Sequence, residues 1–335
     1  MNHLPVNAQN TPEISVIIPI YNEEKNIFNL YDRLSGVMKT LGKAYEFIFV
    51  NDGSRDNSLA LIKTLAQRDE KVKYIDFSRN FGHQIAVSAG LDHTSGEAVV
   101  VIDADLQDPP ELIIELYNKM QEGYEVVYAR RRKRQGENFM KLFTAKWFYR
   151  ILAKITSVEI PVDTGDFRIM SHKIVQVLRN MPERNKFLRG QISWAGFRQT
   201  YVEYDRSERA EGVTGYTYSK MIRLALDGIT SFSDFPLKVA TMAGFTVSGI
   251  AFLVMLYALY VHYVSEDTVP GWTSIILAVL FLGGIQLISI GIIGEYISRV
   301  SNNVRNRPLY IVGETNLQTT GAEAKPAHAQ ILLDC

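Results

Sequence analysis

The chain has 335 residues, and its 36 basic and 36 acidic side chains give a formal net charge of zero at pH 7. The chain therefore has no overall positive field that would indicate nucleic acid as a partner, and any functional charge must be local. The single cysteine, Cys335, excludes a disulfide framework within the chain, which is typical of a reducing compartment. Residues 1–13 contain neither a basic start nor an apolar run, so we expect a disordered N terminus and no cleaved signal peptide.

From residue 14 onward, the sequence predicts strands that alternate with helices. A chain of this length can bury a complete core, and such alternation is typical of a doubly wound α/β domain with a mostly parallel sheet. We expect this domain to occupy residues 14–216. The predicted strands are Ile14–Ile18, Glu46–Val50, Val72–Phe77, Ala98–Ile102 and Glu125–Ala129, and the predicted helices are Glu23–Leu41, Asp56–Arg68, His83–His93 and Pro110–Glu122.

An acidic stretch follows the apolar strand Ala98–Ile102. Asp103 and Asp105 would lie beyond the C-terminal end of that strand, where open α/β sheets bind ligands. Their oxygens suit Mg²⁺ or Mn²⁺ bound together with substrate phosphates. We interpret Asp105 as the main metal ligand, Gln107 as a second, and Asp103 as a bridge between the metal and a ribose. A solvated turn before the next helix is the alternative.

Two more stretches follow predicted strands and are candidates for a nucleotide pocket. Residues 19–23 read Pro-Ile-Tyr-Asn-Glu, and residues 52–54 read Asp-Gly-Ser. Asp52 could accept a hydrogen bond from a uracil or guanine N–H, and the Tyr21 ring could pack on the base. An ordinary turn is the alternative for residues 51–54.

Farther along the chain, one carboxylate and two basic clusters are candidates for the remaining chemistry. Asp166 could be a catalytic carboxylate or a turn residue. Arginines at 130–134 and 206–209 could bind phosphate through their planar guanidinium forks. A lipid-headgroup patch or a solvated patch is the alternative for each cluster.

Two segments are long and apolar enough to cross a membrane. Val239–Val261 and Ile275–Gly294 contain no charged residue, and about 20 apolar residues span a bilayer. A buried helical hairpin of a soluble protein is the alternative. Basic residues flank the pair, and the loop between the segments is acidic, so the positive-inside rule places both chain ends in the cytoplasm. The predicted segments are a span at 237–263, an extracytoplasmic loop at 264–273, a second span at 274–298 and a cytoplasmic tail at 299–335.

Two further segments predict helices that lie in the membrane interface. Residues 138–157 interleave aromatic and basic side chains, and residues 217–236 have one apolar side and lead into the first span. Both patterns suit interfacial amphipathic helices, although packing of 138–157 on the sheet is the alternative. From Gly313 onward the tail is polar and rich in small residues, so we expect disorder there.

Four motifs together resemble a known family. SVIIPIYNEE from Ser15, VNDGSRD from Val50, DADLQDPPE from Asp103 and TGDFR from Thr164 look like the inverting family 2 glycosyltransferases with a GT-A fold. The resemblance is closer to polyprenyl-phosphate glycosyltransferases, which include bacterial undecaprenyl-phosphate glucosyltransferases of the GtrB type and, more distantly, dolichyl-phosphate mannose synthases. It covers residues 13–312 and both apolar segments.

The resemblance implies roles for individual residues. The nucleotide-sugar pocket would include Pro19, Tyr21, Glu23, Asp52, Asp103 and Ala104. The Mg²⁺ or Mn²⁺ site would include Asp103, Asp105 and Gln107. Asp105 and Asp166 would be the catalytic carboxylates, and Arg131 and Arg209 would bind the acceptor phosphate. The family's compact glycine-serine-lysine turn is replaced by a longer stretch between Arg209 and Lys220.

The implied activity is inverting transfer of glucose from UDP-glucose to undecaprenyl phosphate by a membrane-bound homotetramer in the cytoplasmic membrane. A different donor, such as GDP-mannose or UDP-aminoarabinose, is one alternative. A processive polysaccharide synthase is another, but its Gln-x-x-Arg-Trp motif is matched only by Gln191–Trp194, which lacks the arginine. A membrane scaffold that senses a divalent ion is the third.

Overall fold

The structure is a computed structural model, which describes residues 11–132, 164–205, 235–260, 271–305, 307–317 and 329–331. These residues fall into two compact units, one with residues 11–132, 164–205, 307–317 and 329–331 and the other with residues 235–260 and 271–305. The predicted interfacial helix at 138–157, most of the one at 217–236, and Arg209 lie outside the described residues.

The first unit is built on one mixed sheet. Its strands are β1 (Ile14–Ile20), β2 (Tyr45–Asn51), β3 (Val72–Phe77), β4 (Ala98–Val101), β5 (Val126–Arg131), β6 (Thr164–Ser171), β7 (Gln199–Tyr204), β8 (Tyr310–Thr315) and β9 (Ala329–Ile331). They are ordered β7-β5-β6-β4-β1-β2-β3-β8-β9. The four central strands β4, β1, β2 and β3 are parallel, so their carboxyl ends form one edge, as the sequence predicts.

The first strand extends two residues beyond its predicted end, through Pro19. Proline cannot donate to a strand ladder and is rare in central strands. Ile102 N donates to Ile17 O, so alternate residues Ile17 and Pro19 turn their backbone groups toward β4. Because β4 pairs with β1 only as far as Ile17, the missing N–H of Pro19 costs no ladder hydrogen bond.

Helices cover both faces of this sheet. The helices of the first unit are α1 (Ile27–Leu41), α2 (Ser58–Arg68), α3 (His83–His93), α4 (Leu112–Gln121), α5 (His172–Arg179) and α6 (Leu188–Trp194). Apolar residues of α1, α2 and α4 share one core with alternate strand residues, and those of α3, α5 and α6 share a second core with the others. This is the doubly wound α/β architecture that the alternating pattern predicts.

Strand β6 departs from the parallel order of the central strands. The TGDFR motif does not form a turn: all five of its residues lie in β6, which runs antiparallel between β4 and β5. Strand periodicity puts its side chains alternately on the two faces. The motif therefore crosses the carboxyl-end edge of the sheet, and its polar side chains lie next to the stretch that follows β4.

The tail also differs from its prediction, which was disorder from Gly313. Gly313–Thr315 complete β8, which pairs antiparallel with β3. Asn316 continues the attachment, because its side chain accepts from Tyr74 N at 2.7 Å and donates to Val72 O at 2.9 Å. For residues 313–317 the prediction was wrong, because a strand as short as β8, which lies between β3 and β9, has too few residues to show a period.

The second unit contains the two apolar segments as helices α7 (Phe235–Tyr260) and α8 (Trp272–Val304). Windows at Phe235–Val254 and Phe281–Val304 are long and apolar enough to cross a membrane, and neither is buried inside the protein. A core helix of a soluble protein would bury its apolar side chains. The two helices contact each other.

Candidate active site

The stretch after β4 forms a tight loop at the carboxyl-end edge of the sheet. Leu106 has a φ of 56°, a left-handed conformation that costs energy for a side chain with a Cβ. Gln107 N donates to Asp105 Oδ1 at 3.1 Å, which closes the turn. The turn brings Asp103, Asp105 and Gln107 together, while Ala104 is buried.

Two oxygens of this loop fit a cation. Asp103 Oδ1 and Gln107 Oε1 are buried and have no hydrogen-bond partner among the described residues. Buried oxygens without partners are costly, and hard oxygens suit Mg²⁺ or Mn²⁺. Within the described ranges, no group of three or more His, Cys, Asp or Glu side chains could hold a metal ion. Asp103 Oδ1 and Gln107 Oε1 could serve as two ligands of a divalent cation that substrate phosphates also bind.

Asp52 anchors a neighbouring loop. Its carboxylate accepts hydrogen bonds from Phe81 N at 2.6 Å, Gly82 N at 3.0 Å and Asn80 Nδ2 at 3.0 Å, and the residue is 3% exposed. Burial raises the pKa of Asp52 despite these hydrogen bonds. The structure thus gives Asp52 a role in shaping residues 80–82, the approach to α3. Base recognition by Asp52 stays a prediction.

The remaining predicted pocket residues flank the same edge. Tyr21 is 45% exposed, so its ring is available to a ligand. Glu23 follows it and accepts from Asn26 Nδ2 at 2.6 Å. Pro19 is buried within β1, and its contact with a nucleotide stays a prediction.

Asp166 is the centre of a charged network on β6. Its Oδ1 accepts from Arg168 Nη2 at 2.5 Å and from Arg189 Nε at 3.3 Å. Its Oδ2 lies 3.1 Å from His83 Nε2 and accepts from Gln84 Nε2 at 3.3 Å. Although burial acts to raise the pKa of Asp166, the neighbouring cations hold it well below its usual value. An anion with four such partners is suited to orienting other groups.

His83 joins the two acidic stretches. It is the first residue of α3, and its Nε2 lies 3.6 Å from Asp103 Oδ1 as well as 3.1 Å from Asp166 Oδ2. Burial acts to lower the pKa of His83, but the two carboxylates raise it to about 9. The same burial, reinforced by the Asp166 charge, raises the pKa of Asp103.

Arg131 ends β5 beside a second, smaller polar cluster. Its Nη2 lies 3.7 Å from Asp108 Oδ2, and its Nε donates to the Tyr204 hydroxyl at 3.4 Å. That hydroxyl donates to Asp108 Oδ1. Burial and the Asp108 charge raise the pKa of Tyr204, which keeps the phenol protonated as a donor.

Sequence reasoning missed several residues of this site, namely His83, Gln84, Asp108, Arg168, Arg189 and Tyr204. Arg168 belongs to the TGDFR motif, and Asp108 belongs to the acidic stretch, so both could have been marked from sequence. The other four approach from distant positions and carry no local signal.

Two protein families match parts of this chain. The model described as Glycosyl transferase family 2 matches residues 15–179, and the one described as GtrB C-terminal hairpin matches residues 235–300. An uncharacterized glycosyltransferase of Bacillus subtilis (strain 168), YkcC, is 51% identical over 300 residues, covering 90% of this chain and 93% of its own. The chain belongs to the family 2 glycosyltransferases. It is therefore an enzyme of that family, and its sheet is of the GT-A type.

Two other proteins are similar to this chain. The bactoprenol glucosyl transferase of Shigella phage SfII is 42% identical to this glycosyltransferase over 304 residues, covering 91% of this chain and 98% of its own. Glucosyl-3-phosphoglycerate synthase from Mycobacterium tuberculosis, solved in complex with Mn²⁺, UDP and phosphoglyceric acid, is 20% identical, with a TM-score of 0.45 and coverage of 67% of this chain and 77% of its own.

Proposed function

We propose that this glycosyltransferase transfers glucose from UDP-glucose to undecaprenyl phosphate, or a similar polyprenyl phosphate, with inversion at C1. The observation that carries the proposal is the 42% identity to bactoprenol glucosyl transferase over 91% of the chain. The match to the GtrB C-terminal hairpin at residues 235–300 supports the same acceptor, because that segment forms the apolar helices.

The donor would bind at the carboxyl-end edge of the central strands. Tyr21, Glu23 and Asp52 would contact the base and ribose, next to Asp103 and Ala104. Asp105 and Gln107, with Asp103, would hold Mg²⁺ or Mn²⁺. When bound, that metal would supply Lewis-acid stabilisation of the leaving diphosphate.

The acceptor would be activated mainly by its own charge. A phosphate monoester has a second pKa of about 6, so its oxygen is already a nucleophile near neutral pH. That oxygen forms a bond to C1 as the bond from C1 to the diphosphate oxygen breaks, and the electron pair leaves with UDP. Attack opposite the leaving group converts an α-linked donor to a β-linked product. Arg131 and Arg209 would offset repulsion between the two anionic substrates.

The contacts of Asp166 favour an orienting role over that of a general base. Its carboxylate is ion-paired with Arg168 and Arg189, and its low pKa makes proton acceptance unfavourable near neutral pH. Asp166 would instead fix the orientation of His83 beside the donor site.

The membrane arrangement completes the proposal. Two apolar helices and a polyprenyl acceptor fit an enzyme of the cytoplasmic membrane, with the catalytic unit and both termini on the cytoplasmic side. Basic residues near both ends of the helical pair and Glu266 and Asp267 in the intervening loop support that orientation. Glycines at 283, 284, 291 and 294 would allow close helix contact in a homotetramer.

The experiment is a donor screen on the purified full-length enzyme in detergent. Undecaprenyl phosphate would be incubated with UDP-glucose, GDP-mannose or UDP-aminoarabinose, and the lipid product identified by mass spectrometry and its anomeric configuration by NMR. We expect a β-linked glucosyl lipid with UDP-glucose and UDP release that requires the lipid. Transfer from another donor in preference to UDP-glucose would refute the sugar, and UDP release independent of lipid would refute the acceptor.

A further inference from the structure

Three polar side chains meet beside the edge of the sheet where β5 and β7 end. Asp108 comes from the acidic loop, and Arg131 and Tyr204 are register partners at the ends of parallel strands β5 and β7. The Asp108 side chain is 0% exposed, whereas that of Arg131 is 22% exposed. The cluster thus joins a buried anion to a cation that still reaches the surface.

The burial of Asp108 explains why Arg131 takes this position. A buried carboxylate is costly unless donors surround it. The Tyr204 hydroxyl donates to one of its oxygens, and Arg131 Nη2 lies 3.7 Å from the other. Nε of the same guanidinium donates to the Tyr204 hydroxyl. Two nitrogens of the Arg131 guanidinium therefore face Asp108 and Tyr204. Because a guanidinium has five N–H donors, other donors of Arg131 remain for a phosphate.

Gly165 leaves room for this guanidinium. A Cβ at Gly165 would lie 3.0 Å from Arg131 Nη2 and 3.8 Å from Asp108 Oδ2. A carbon at 3.0 Å would require the guanidinium to move. The glycine of the TGDFR motif thus leaves space for the guanidinium in the position where Asp108 and Tyr204 hold it.

We infer that Asp108 and Tyr204 are positioning residues that hold the Arg131 guanidinium in the orientation that receives the acceptor phosphate. This inference rests on the proposed function, which places the lipid phosphate at Arg131. It also connects the two substrate sites, because Asp108 directly follows the loop proposed to bind the donor diphosphate. An arginine held in place loses less side-chain entropy on binding than a mobile one.

The test compares Asp108→Asn and Tyr204→Phe with wild type in the full-length enzyme. Each initial rate would be measured with undecaprenyl phosphate or UDP-glucose varied in turn. We expect Asp108→Asn to raise the KM for undecaprenyl phosphate about tenfold or more, as loss of a buried charged partner does. The KM for UDP-glucose should stay near its wild-type value. Tyr204→Phe should also raise the KM for undecaprenyl phosphate, but by a smaller factor.

The chain offers a matched control. Tyr310 is a buried tyrosine whose hydroxyl donates to Asp92 Oδ2 at 2.9 Å, the same chemistry as Tyr204 and Asp108 at a different place in the unit. Tyr310→Phe and Asp92→Asn should therefore leave both KM values unchanged, even where they lower the unfolding temperature. This control separates a general loss of stability from loss of positioning.

A double variant tests whether Asp108 acts through Arg131. If it does, Asp108→Asn combined with Arg131→Ala should bind undecaprenyl phosphate no more weakly than Arg131→Ala alone, since coupled residues are not additive. Binding would be measured by thermophoresis in detergent without donor. UDP binding would confirm that each variant is folded, and Tyr204→Phe carries the test if Asp108→Asn does not fold.

The outcomes distinguish this inference from the proposed function. A wild-type enzyme that neither binds nor glucosylates undecaprenyl phosphate refutes the function. Wild-type binding that Arg131→Ala leaves intact refutes the acceptor role of Arg131 and the positioning inference with it. Only the positioning inference is overturned if Arg131→Ala weakens lipid binding but Asp108→Asn does not. The same holds if the double variant binds the lipid more weakly than Arg131→Ala by the full factor that Asp108→Asn alone produces.

Discussion

His83 and Asp166 are joined across 83 positions of sequence, with His83 Nε2 3.1 Å from Asp166 Oδ2. The same nitrogen lies 3.6 Å from Asp103 Oδ1. One imidazole thus connects the stretch after β4 with the TGDFR motif on β6. The arrangement depends on β6 running antiparallel to β4, which places the two motifs at the same edge.

Replacement of Asp166 tests whether it orients or accepts a proton. We expect Asp166→Asn to lower kcat on the order of a hundredfold, because misplacement of a bound group by about 1 Å has that effect. The loss should be similar at pH 6.5 and pH 8.5, since the pKa of Asp166 lies well below its usual value and the carboxylate is ionised at both. Steady-state glucosyl transfer at the two pH values measures this. A loss that largely disappears at pH 8.5 would instead indicate a general base.

The sequence predicted the strand ends but not the partners that meet there. Asp103 and Asp105 could be placed because the apolar run before them is a buried strand, and parallel strands share one edge. The roles of His83 and Arg189 could not be predicted, since their proximity to Asp166 depends on how α3 and α6 pack on the sheet. Tyr204 was missed for the same reason, because it contacts Asp108 only through the pairing of β5 with β7.

The tail shows a different limit of sequence reasoning. Only Tyr310 and Val312 of β8 are buried, and two apolar positions do not establish a strand period. It is held in place instead by pairing with β3 on one side and β9 on the other. A local pattern cannot show that an edge of the sheet is available for pairing.

Removal of the metal should abolish transfer. We expect EDTA to stop glucosyl transfer and added Mg²⁺ or Mn²⁺ to restore it, because the buried oxygens of the loop after β4 suit a hard cation. Asp105→Ala should lose at least about a hundredfold in kcat, in line with loss of an electrostatic group at a leaving charge. Glu115→Ala, an exposed carboxylate on α4, is the control and should stay active. Full turnover in EDTA would contradict the metal site.

The orientation of the two apolar helices can be tested by labelling. In a background with Cys335→Ser, cysteines would be introduced singly as Ser219→Cys and Ser265→Cys. We expect a membrane-impermeant maleimide to label Ser265→Cys in intact cells and Ser219→Cys only after the membrane is opened, because the flanks are basic and the loop is acidic. Labelling of both from the cytoplasmic side would overturn the two-span arrangement.

The attachment of β8 should contribute measurably to stability. Asn316→Ala removes the side-chain oxygen that accepts from Tyr74 N and the side-chain NH₂ that donates to Val72 O. We therefore expect the free energy of unfolding to fall by about 1–3 kcal/mol. Gln67→Ala, which changes an exposed side chain on α2, is the control and should have little effect. Denaturant unfolding followed by tryptophan fluorescence measures both. Equal free energies of unfolding for wild type and Asn316→Ala would show that β8 stays paired without this side chain.

The last prediction concerns His93, the half-buried histidine at the end of α3. Burial, together with the Arg179 charge, lowers the pKa of His93 to about 4, and His93 Nε2 has no hydrogen-bond partner among the described residues. The unfolded chain would protonate this histidine near its usual pKa of about 6.5. The unfolded chain thus binds a proton at His93 below about pH 6.5, whereas the folded protein does so only near pH 4. The free energy of unfolding should therefore fall as the pH falls from about 6.5 toward 4, by up to about 3 kcal/mol. His93→Gln removes the titrating group, so the difference in unfolding free energy between wild type and variant should shrink between pH 7.5 and pH 4.5. A difference that stays constant over this range would show that His93 titrates alike in the folded and unfolded states.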